Sequence, residues 1–262
     1  MKSIVITGST RGVGYAMAKE FLKSGCQVVL SGRGETLRKS AQEELKAFEN
    51  QYCYVSCDVQ NKFELEKLWA VCAERFGCVD IWINNAGQNT PHVCSFETDE
   101  SYVRTVIETN ILGMIFGSQV AAQGMLAQQH GAIYSMEGLG SNNMIQPRTI
   151  LYGTTKHALT YFMKGLAKEL DGTGVIAGRL SPGMMLTDFI TISPDGTLAA
   201  IESDESFRKL FNILADKPET VAAFFVPRIL KNTKNNVQIS WLTGTKAAWR
   251  FLSAAFHKRR IL

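Results

Sequence analysis

Two residues with complementary chemistry stand four positions apart in the segment Tyr152-Gly-Thr-Thr-Lys156. Residues at this spacing share one face of a helix, so the Lys156 ammonium group would lie beside the Tyr152 hydroxyl. We expect that positive charge to hold the pKa of Tyr152 below its ordinary value of about 10. Such a hydroxyl can donate a proton to a carbonyl oxygen. The same spacing is also compatible with an exposed helix face that has no chemical role.

A glycine-rich loop near the N-terminus favours the chemical interpretation. The loop reads Thr7-Gly-Ser-Thr-Arg-Gly-Val-Gly14; it follows an apolar run at 4–6 that predicts a buried strand and opens an amphipathic pattern at 14–22 that predicts a helix. Glycines there allow the backbone to approach a pyrophosphate, whose charge would be bound by the first N–H groups of the helix. A plain turn between strand and helix is the alternative.

The composition indicates a globular protein, because 45% of its 262 residues are hydrophobic and 20% are charged. A net charge of +4, with no basic run before His257-Lys-Arg-Arg260, gives little support to nucleic-acid binding. Six cysteines without Cys-x-x-Cys spacing predict reduced core thiols and no metal site. Strand residues begin at Ser3 and no apolar run reaches the ~20 residues of a membrane span, so we expect a cytoplasmic protein.

Strand and helix patterns alternate along the chain. Such alternation predicts right-handed crossovers and an α/β fold, a Rossmann-type doubly wound parallel sheet in three αβα layers, formed by a single domain of residues 1–262. Strands are predicted at 4–6, 27–31, 52–56, 79–83, 132–136 and 175–180, and helices at 14–22, 35–49, 62–76, within 99–129 and at 149–170. Ligands of such sheets bind beyond the carboxyl ends of the strands, near the point where strand order reverses.

Short motifs follow these strand ends in a fixed order: Thr7-Gly-x-x-x-Gly-x-Gly14, Asp58-Val59, Asn84-Asn-Ala-Gly87, Asn110, Tyr152-x-x-x-Lys156 and Pro182-Gly183. This series resembles the short-chain dehydrogenase/reductase family over nearly the whole chain. The resemblance implies an NAD(P)-dependent oxidoreductase that forms a homodimer or homotetramer and acts on a small-molecule carbonyl. It also implies that Tyr152 is the general acid, that Lys156 lowers its pKa and binds the nicotinamide ribose, and that Asn110 holds a proton-relay water.

The predicted cofactor site collects the residues at the strand ends. Its members are Gly8, Ser9, Thr10, Arg11, Gly12, Val13, Gly14, Arg33, Asp58, Val59, Asn85, Ala86, Gly87, Tyr152, Lys156, Pro182, Gly183 and Thr187. Asp58 either accepts from the adenine amino group or caps the helix near Asn61. Gly87 suits close approach of the backbone to a sugar, although a turn would also use it. Asn110 is a poor helix residue unless its amide is used.

The cofactor preference follows from charge. An NAD enzyme usually carries Asp or Glu after the second strand, whereas this chain has Ser31-Gly-Arg33 there and Arg11 in the glycine loop. Guanidinium groups bind a 2′-phosphate through forked hydrogen bonds, so NADPH is the predicted cofactor. If Arg33 only covers the surface of the strand, the sequence indicates no preference between NADPH and NADH.

The catalytic serine departs from the family pattern. The family usually places a serine about thirteen residues before the tyrosine, where this chain has Gly138 and Leu139. Ser141 lies in a glycine-flanked loop and can bring its hydroxyl to the same point, whereas Ser135 lies in the predicted strand. We predict that Ser141 fills the serine role.

The segment 134–141, together with Tyr152-Gly-Thr-Thr-Lys156, resembles the chlorophyll b reductase branch of the family. That branch has Asn-Met-Asp-Gly-x-Gly-Ser at this strand end and Tyr-Gly-x-Thr-Lys in the helix. Here Ser135 replaces the Asn and Glu137 the Asp, and the segment Val237-Gln-Ile-Ser-Trp-Leu-Thr243 followed by Lys246 also resembles that branch. The branch implies reduction of a formyl group on a chlorin ring. A general carbonyl reductase of 3-oxo, steroid or quinone substrates and an inert NADPH-binding sensor remain alternatives.

Two further segments carry expectations. Residues 187–233 are predicted to form a substrate lid. Its apolar residues suit a large apolar ligand, although we expect at least half of them to pack in helix core instead. These residues are Phe189, Ile190, Leu198, Phe207, Leu210, Phe211, Phe224 and Phe225. Residues 247–260 are predicted to form an amphipathic helix. We expect Trp249, Leu252 and Phe256 to pack on their own domain; a subunit interface and an anionic membrane surface are the alternatives.

Overall fold

The computed structural model describes residues 1–195, 205–254, 259 and 261, except the side chains of 188 and 189. Within these residues one seven-stranded sheet has the order β3-β2-β1-β4-β5-β6-β7, and every neighbouring pair is parallel. The strands are β1 Ser3–Ile6, β2 Gln27–Gly32, β3 Tyr52–Ser56, β4 Ile81–Asn84, β5 Gly131–Met136, β6 Val175–Ser181 and β7 Val237–Ser240. The predicted doubly wound sheet is confirmed, with the reversal of strand order between β1 and β4.

The helices cover both faces of the sheet. They are α1 Gly12–Lys23, α2 Lys39–Leu45, α3 Lys62–Phe76, α4 Glu100–Ile107, α5 Gly113–Gln128, α6 Ile150–Glu169, α7 Asp188–Thr191, α8 Glu205–Leu214, α9 Pro218–Lys231 and α10 Gly244–Ala254. A π-helical turn, Glu108–Leu112, joins α4 to α5. None of the helices in the described part of the chain is long and apolar enough to cross a membrane.

The core lies in two layers because adjacent strand residues point to opposite faces of the sheet. Ile4 and Ile6 pack on one face with α1, α2 and α9, whereas Val5 packs on the other with α3, α5 and α6. Both faces are therefore apolar, as expected for a parallel sheet that is buried on each side. This arrangement confirms the three αβα layers.

Two elements differ from the sequence prediction. The helix predicted at 35–49 begins only at Lys39, because Arg38 keeps an extended backbone with ψ 141° and its side chain bonds the glycine loop. The seventh strand was not predicted, because its four residues are too short to show a clear period. Its pairing with β6, from Gly178 with Val237 to Ser181 with Ser240, identifies it as a strand.

The predicted lid of 187–233 includes α9, whose apolar side lies in the core beside α1. Phe225 is fully buried there, and Phe224 packs edge-on against Trp241 with ring centroids 5.0 Å apart. Phe211 is fully buried in α8, with Phe207 and Ile190 packed against it. The expectation that at least half of these apolar residues serve as helix core is confirmed. Leu198 and the side chain of Phe189 lie outside the described residues, and the substrate lid at about 187–233 stays a prediction.

The predicted packing of the C-terminal helix is wrong for two of its three apolar residues. Trp249 is 69% exposed and Leu252 is 68% exposed, whereas Phe256 lies outside the described residues. Polar contacts hold α10 instead: Arg250 donates to Leu214 O and pairs with Asp216 Oδ2, each at 2.7 Å. Arg259 donates to Asp216 Oδ1 at 2.8 Å.

Asp216 is therefore the anchor of the C-terminal segment. Its carboxylate is 5% exposed and also accepts from Trp241 Nε1 at 2.7 Å. Burial by itself raises the pKa of Asp216, but the hydrogen bonds from Arg250, Trp241 and Arg259 outweigh burial and lower it. A carboxylate whose pKa is lowered by folding stabilises the fold above its unfolded pKa, and this stabilisation is lost as pH falls.

Asp216→Asn should lower the free energy of unfolding at pH 7 by roughly 1.5–3 kcal/mol, because hydrogen bonds to a charged acceptor are lost. The difference from the native protein should be constant above about pH 4, the ordinary pKa of an aspartate, and should shrink as pH falls further towards the lowered pKa of Asp216 in the folded protein. Thermal or urea unfolding between about pH 2 and pH 7.5 measures both effects, with Asp171→Asn at an exposed turn as the control. A difference that is constant with pH would contradict the ionic role of Asp216.

Candidate active site

The loops after β1 and β4 are fastened to each other where strand order reverses. Thr7 Oγ1 accepts from the backbone N–H groups of Asn85 at 3.0 Å and Ala86 at 3.1 Å. In return, Asn85 Nδ2 donates to the carbonyl oxygens of Thr7 and Gly8, each at 2.9 Å. The Asn85 side chain thus holds the glycine loop in place.

Close backbone contact explains the glycine at the start of the loop. Gly8 has φ +62°, and a Cβ there would lie 2.7 Å from Ala86 Cα. A larger residue would separate the two loops and remove the cradle that the glycine loop forms at the N-terminus of α1. The geometry fits the predicted pyrophosphate position of a dinucleotide.

Some of the predicted cofactor-binding residues have side chains that face the protein interior, so they can contact a cofactor only through their backbone. Ser9, Val13 and Val59 are buried, and the Ser9 hydroxyl is used within the fold. It donates to Ile6 O at 2.8 Å and accepts from Ser31 N at 3.0 Å. The side chains of these three residues therefore shape the site from behind.

Arginines gather where the adenosine end of a dinucleotide would bind. Arg33 is exposed at the end of β2, and Arg11 precedes α1. Arg38 Nη2 donates to Thr10 O at 2.9 Å. Arg38 was not predicted as a site residue because it lies within a segment predicted as helix, although a third Arg soon after the second strand was a visible signal.

Asp58 stabilises the turn that precedes α3. Its Oδ1 accepts from Gln60 N at 3.0 Å, and the cap of α3 is Asn61, whose side chain accepts from Phe63 N at 3.1 Å. The capping alternative is therefore wrong, because Asn61 occupies that position itself. The predicted adenine contact of Asp58 stays a prediction.

The segment after β6 crosses over the start of α1. Gly183 has φ +72°, and a Cβ there would lie 2.6 Å from Leu242 Cβ. Thr187 lies close to Gly12: a Cβ on Gly12 would be 3.6 Å from Thr187 Cγ2. Pro182, Gly183 and Thr187 thus share one end of the sheet with the glycine loop, as predicted.

Four predicted residues converge at the centre of this end. Lys156 is 4% exposed; its Nζ donates to Met136 O at 2.9 Å and lies 5.7 Å from the centroid of the Tyr152 ring. A Cβ on Gly87 would lie 3.8 Å from Lys156 Nζ and 3.5 Å from Asn110 Oδ1. The absence of a side chain at Gly87 leaves open the approach to Lys156 and Asn110.

Asn110 lies in the π-helical turn, and both its amide oxygen and its amide nitrogen are hydrogen-bonded. Its Oδ1 accepts from Gln88 N at 2.7 Å, and its Nδ2 donates to Gln88 O at 2.9 Å and to Thr155 Oγ1 at 3.0 Å. These bonds explain an asparagine inside a helix, and π-helical turns often mark functional sites. The relay water that the family resemblance implies stays a prediction.

Burial shifts the pKa values of Tyr152 and Lys156 in opposite directions. It raises the pKa of Tyr152 and lowers the pKa of Lys156 to about 8, against the opposing effect of the Glu137 charge. The expectation that Lys156 lowers the pKa of Tyr152 is therefore wrong for the protein alone, because desolvation dominates and the ammonium group bonds Met136 O instead. Tyr152 is a neutral phenol at physiological pH, which is the state that donates a proton.

Gly138 lies directly against the reactive hydroxyl. A Cβ at this position would be 2.5 Å from Tyr152 Oη and 3.3 Å from Lys156 Cε. Ser141 Oγ accepts from Gly138 N and donates to Lys156 O, each at 3.2 Å, so it contacts the backbone of two residues at the site. Ser135 is fully buried, and its Oγ has no hydrogen-bond partner among the residues that the structure describes. The serine role of Ser141 stays a prediction.

Comparisons with known proteins agree with this geometry. The model of the short chain dehydrogenase family matches residues 2–195. The chain is 35% identical to chlorophyll(ide) b reductase NOL of Oryza sativa subsp. japonica, covering 98% of this chain and 76% of that protein. The corresponding Arabidopsis thaliana protein is 34% identical over 96% of this chain and 73% of its own length. The solved structure of ElxO with NADP bound superimposes with a TM-score of 0.78 at 26% identity, covering 91% of this chain and 96% of that one.

Gly138→Ala should displace the Tyr152 hydroxyl, because the added methyl group would lie 2.5 Å from Oη. A displacement of roughly 1 Å can reduce turnover about 10²-fold, so kcat should fall at least tenfold while dinucleotide binding is kept. Steady-state kinetics and a crystal structure of the variant measure the effect. Gly165→Ala on α6 is the control, since no heavy atom lies within 4 Å of its added Cβ. Unchanged kcat in Gly138→Ala would contradict the placement of the hydroxyl.

Proposed function

The chain belongs to the short-chain dehydrogenase family of NAD(P)-dependent oxidoreductases, and we propose that it uses NADPH to reduce the carbonyl group of a large apolar substrate. The observation that carries this proposal is the convergence of Gly87, Asn110, Tyr152 and Lys156 beside the glycine loop. A neutral phenol next to a buried ammonium group suits proton donation to a carbonyl oxygen. A general carbonyl reductase of 3-oxo, steroid or quinone substrates is the second candidate.

The residues divide the chemistry between them. The glycine loop, Gly183, Tyr152 and Lys156 would hold the dinucleotide, whose nicotinamide would supply a hydride to the carbonyl carbon. Tyr152 donates its hydroxyl proton to the carbonyl oxygen as negative charge develops there, which completes the alcohol. The positive charge of Lys156 stabilises the phenolate that remains. Ser141 gives up its hydrogen bond to Lys156 O and donates to the carbonyl oxygen of the substrate instead. Asn110 holds the relay water that the family resemblance implies.

The arginines near the adenosine end support NADPH as the cofactor. Ser31-Gly-Arg33 stands where an NAD enzyme carries an acidic residue, and Arg38 adds a third guanidinium group to Arg11 and Arg33. Forked donors of this kind match a 2′-phosphate. That the comparable structure of ElxO holds NADP agrees with this assignment.

A formyl group on a chlorin ring is the substrate that the plant relatives suggest. Two apolar side chains are exposed on segments next to site residues in the sequence: Ile145 is 79% exposed in the loop between Ser141 and α6, and Ile192 is 60% exposed directly after α7. Such side chains suit a large flat substrate.

The inert-sensor alternative is disfavoured because the chain keeps the reactive pair, Tyr152 and Lys156. The relatives are described as chloroplastic, whereas a cytoplasmic location and a homodimer or homotetramer stay predictions.

With NADPH and either a formyl chlorin or a quinone as substrate, Tyr152→Phe should lose roughly 10²- to 10⁴-fold in kcat, because the proton donor is removed. The Kd for NADPH should be unchanged. Ser141→Ala should lose roughly tenfold or more, because it removes a donor to the developing oxyanion. Absorbance of NADPH follows turnover, and Ser135→Ala is the control because its side chain is sealed in the core. Near-native turnover by Tyr152→Phe would overturn the assignment.

NADPH should bind at least tenfold more tightly than NADH, since one charge-assisted contact contributes roughly 1.5–3 kcal/mol. Arg33→Ala and Arg38→Ala should each shrink that ratio by weakening NADPH binding more than NADH binding, and Arg38→Ala also removes a bond to the glycine loop that both cofactors would use. Calorimetric titration with both cofactors measures the ratio, and Arg75→Ala in the last turn of α3 is the matched control. Equal affinity of the native protein for the two cofactors would refute the preference.

A further inference from the structure

A buried carboxylate lies directly after β5, beside the reactive lysine but outside the groups that the proposed mechanism uses. Glu137 is 2% exposed, and its backbone N–H donates to Leu180 O at 2.8 Å. Its Oε1 accepts from Thr160 Oγ1 at 3.1 Å, and its Oε2 accepts from Gln238 Nε2 at 2.5 Å. Removal of a carboxylate from water is costly, so a group buried this deeply needs nearby compensation.

Arg179 compensates the carboxylate only from a distance. Its Nη1 lies 3.9 Å from Glu137 Oε1, which is beyond hydrogen-bond length, while its Nη2 donates to Asn236 O at 3.3 Å and to Asn236 Oδ1 at 3.2 Å. The guanidinium group is thus directed to the β6–β7 side. The negative charge of Glu137 is therefore left to act on its other neighbours.

Two routes connect Glu137 to Lys156. The first is the Met136–Glu137 peptide, because the carbonyl oxygen that accepts from Lys156 Nζ belongs to the preceding residue. The second is Thr160, whose hydroxyl lies 3.1 Å from Glu137 Oε1 and 3.2 Å from Lys156 O. Glu137 is therefore linked to the lysine side chain through its own backbone peptide and to the lysine backbone through Thr160.

We propose that Glu137 is a positioning residue that keeps Lys156 protonated beside Tyr152, a role that rests on the proposed function of that pair. Glu137 faces this region from the residue directly after β5, and β6 contributes the cation Arg179. α6 presents the neutral phenol of Tyr152, and the π-helical turn presents the amide of Asn110. Among these groups Glu137 carries the negative charge. That charge favours the ammonium form of Lys156, whereas desolvation favours its uncharged amine.

The direction of the effect follows from charge. Burial lowers the pKa of Lys156 to about 8, and the charge of Glu137 acts to raise it. Removal of that charge should lower the pKa of Lys156 further, so the ammonium group is lost at lower pH. Turnover that needs the charged lysine should then fall earlier as pH rises.

Glu137→Gln tests this, because Gln238 can rotate its amide to pair with the new side chain. The alkaline fall of kcat/KM should move to lower pH by at least about half a unit, which is roughly a threefold loss at pH 9 with near-native turnover at pH 6. Glu137→Asp should keep the native profile, since it keeps the charge. Glu169→Gln at the exposed end of α6 is the matched control. An equal loss at every pH would overturn the proposal and indicate a purely structural role.

A second measurement does not depend on turnover. NMR titration of ¹³C-labelled lysine in the protein without cofactor follows Lys156 directly, with the signal assigned by its loss in Lys156→Met. Its midpoint should be lower in Glu137→Gln than in the native protein and Glu137→Asp, and an unchanged midpoint would overturn the proposal. A lowered midpoint in a protein that turns over no carbonyl substrate would support the coupling while refuting the proposed function.

Discussion

The burial of one ammonium group is the constraint on which the rest of this site depends. Lys156 is almost inaccessible to solvent, and its Nζ is held by the carbonyl oxygen that ends β5. An amine in such a place loses its charge unless nearby dipoles and anions stabilise it. Met136 O and Glu137 provide that stabilisation from consecutive residues. The end of β5 therefore determines whether the lysine can stabilise a phenolate on Tyr152.

The same desolvation has opposite effects on the two reactive side chains. It raises the pKa of Tyr152, which keeps the phenol protonated, and it lowers the pKa of Lys156 to about 8, which leaves the amine only moderately basic. A protonated phenol is the form needed for the reductive direction of the reaction. Gly138 permits this arrangement, because its missing side chain leaves space for the Tyr152 hydroxyl and the Lys156 stem.

The sequence by itself determined the elements and the local motifs. Six strands and the crossover helices follow from hydrophobic periodicity, which is a property of neighbouring residues. The glycine loop and the Tyr152 and Lys156 pair are equally local, because each motif fits within one turn or one helix. Asn110 was identified through the family resemblance, and its unfavourable position in a helix is explained by the bonds to Gln88 and Thr155.

Only the tertiary structure decided the features that join distant parts of the chain. Arg38 reaches the glycine loop, and Glu137 contacts Gln238, which is 101 positions away. The pKa of Tyr152 is set by burial and not by its neighbour in the helix, which sequence spacing could not indicate. Likewise, the C-terminal helix is held by Arg250 and Asp216 while its apolar residues face outward. Periodicity predicts which face of a helix is apolar, but the partner of that face depends on how the whole chain packs.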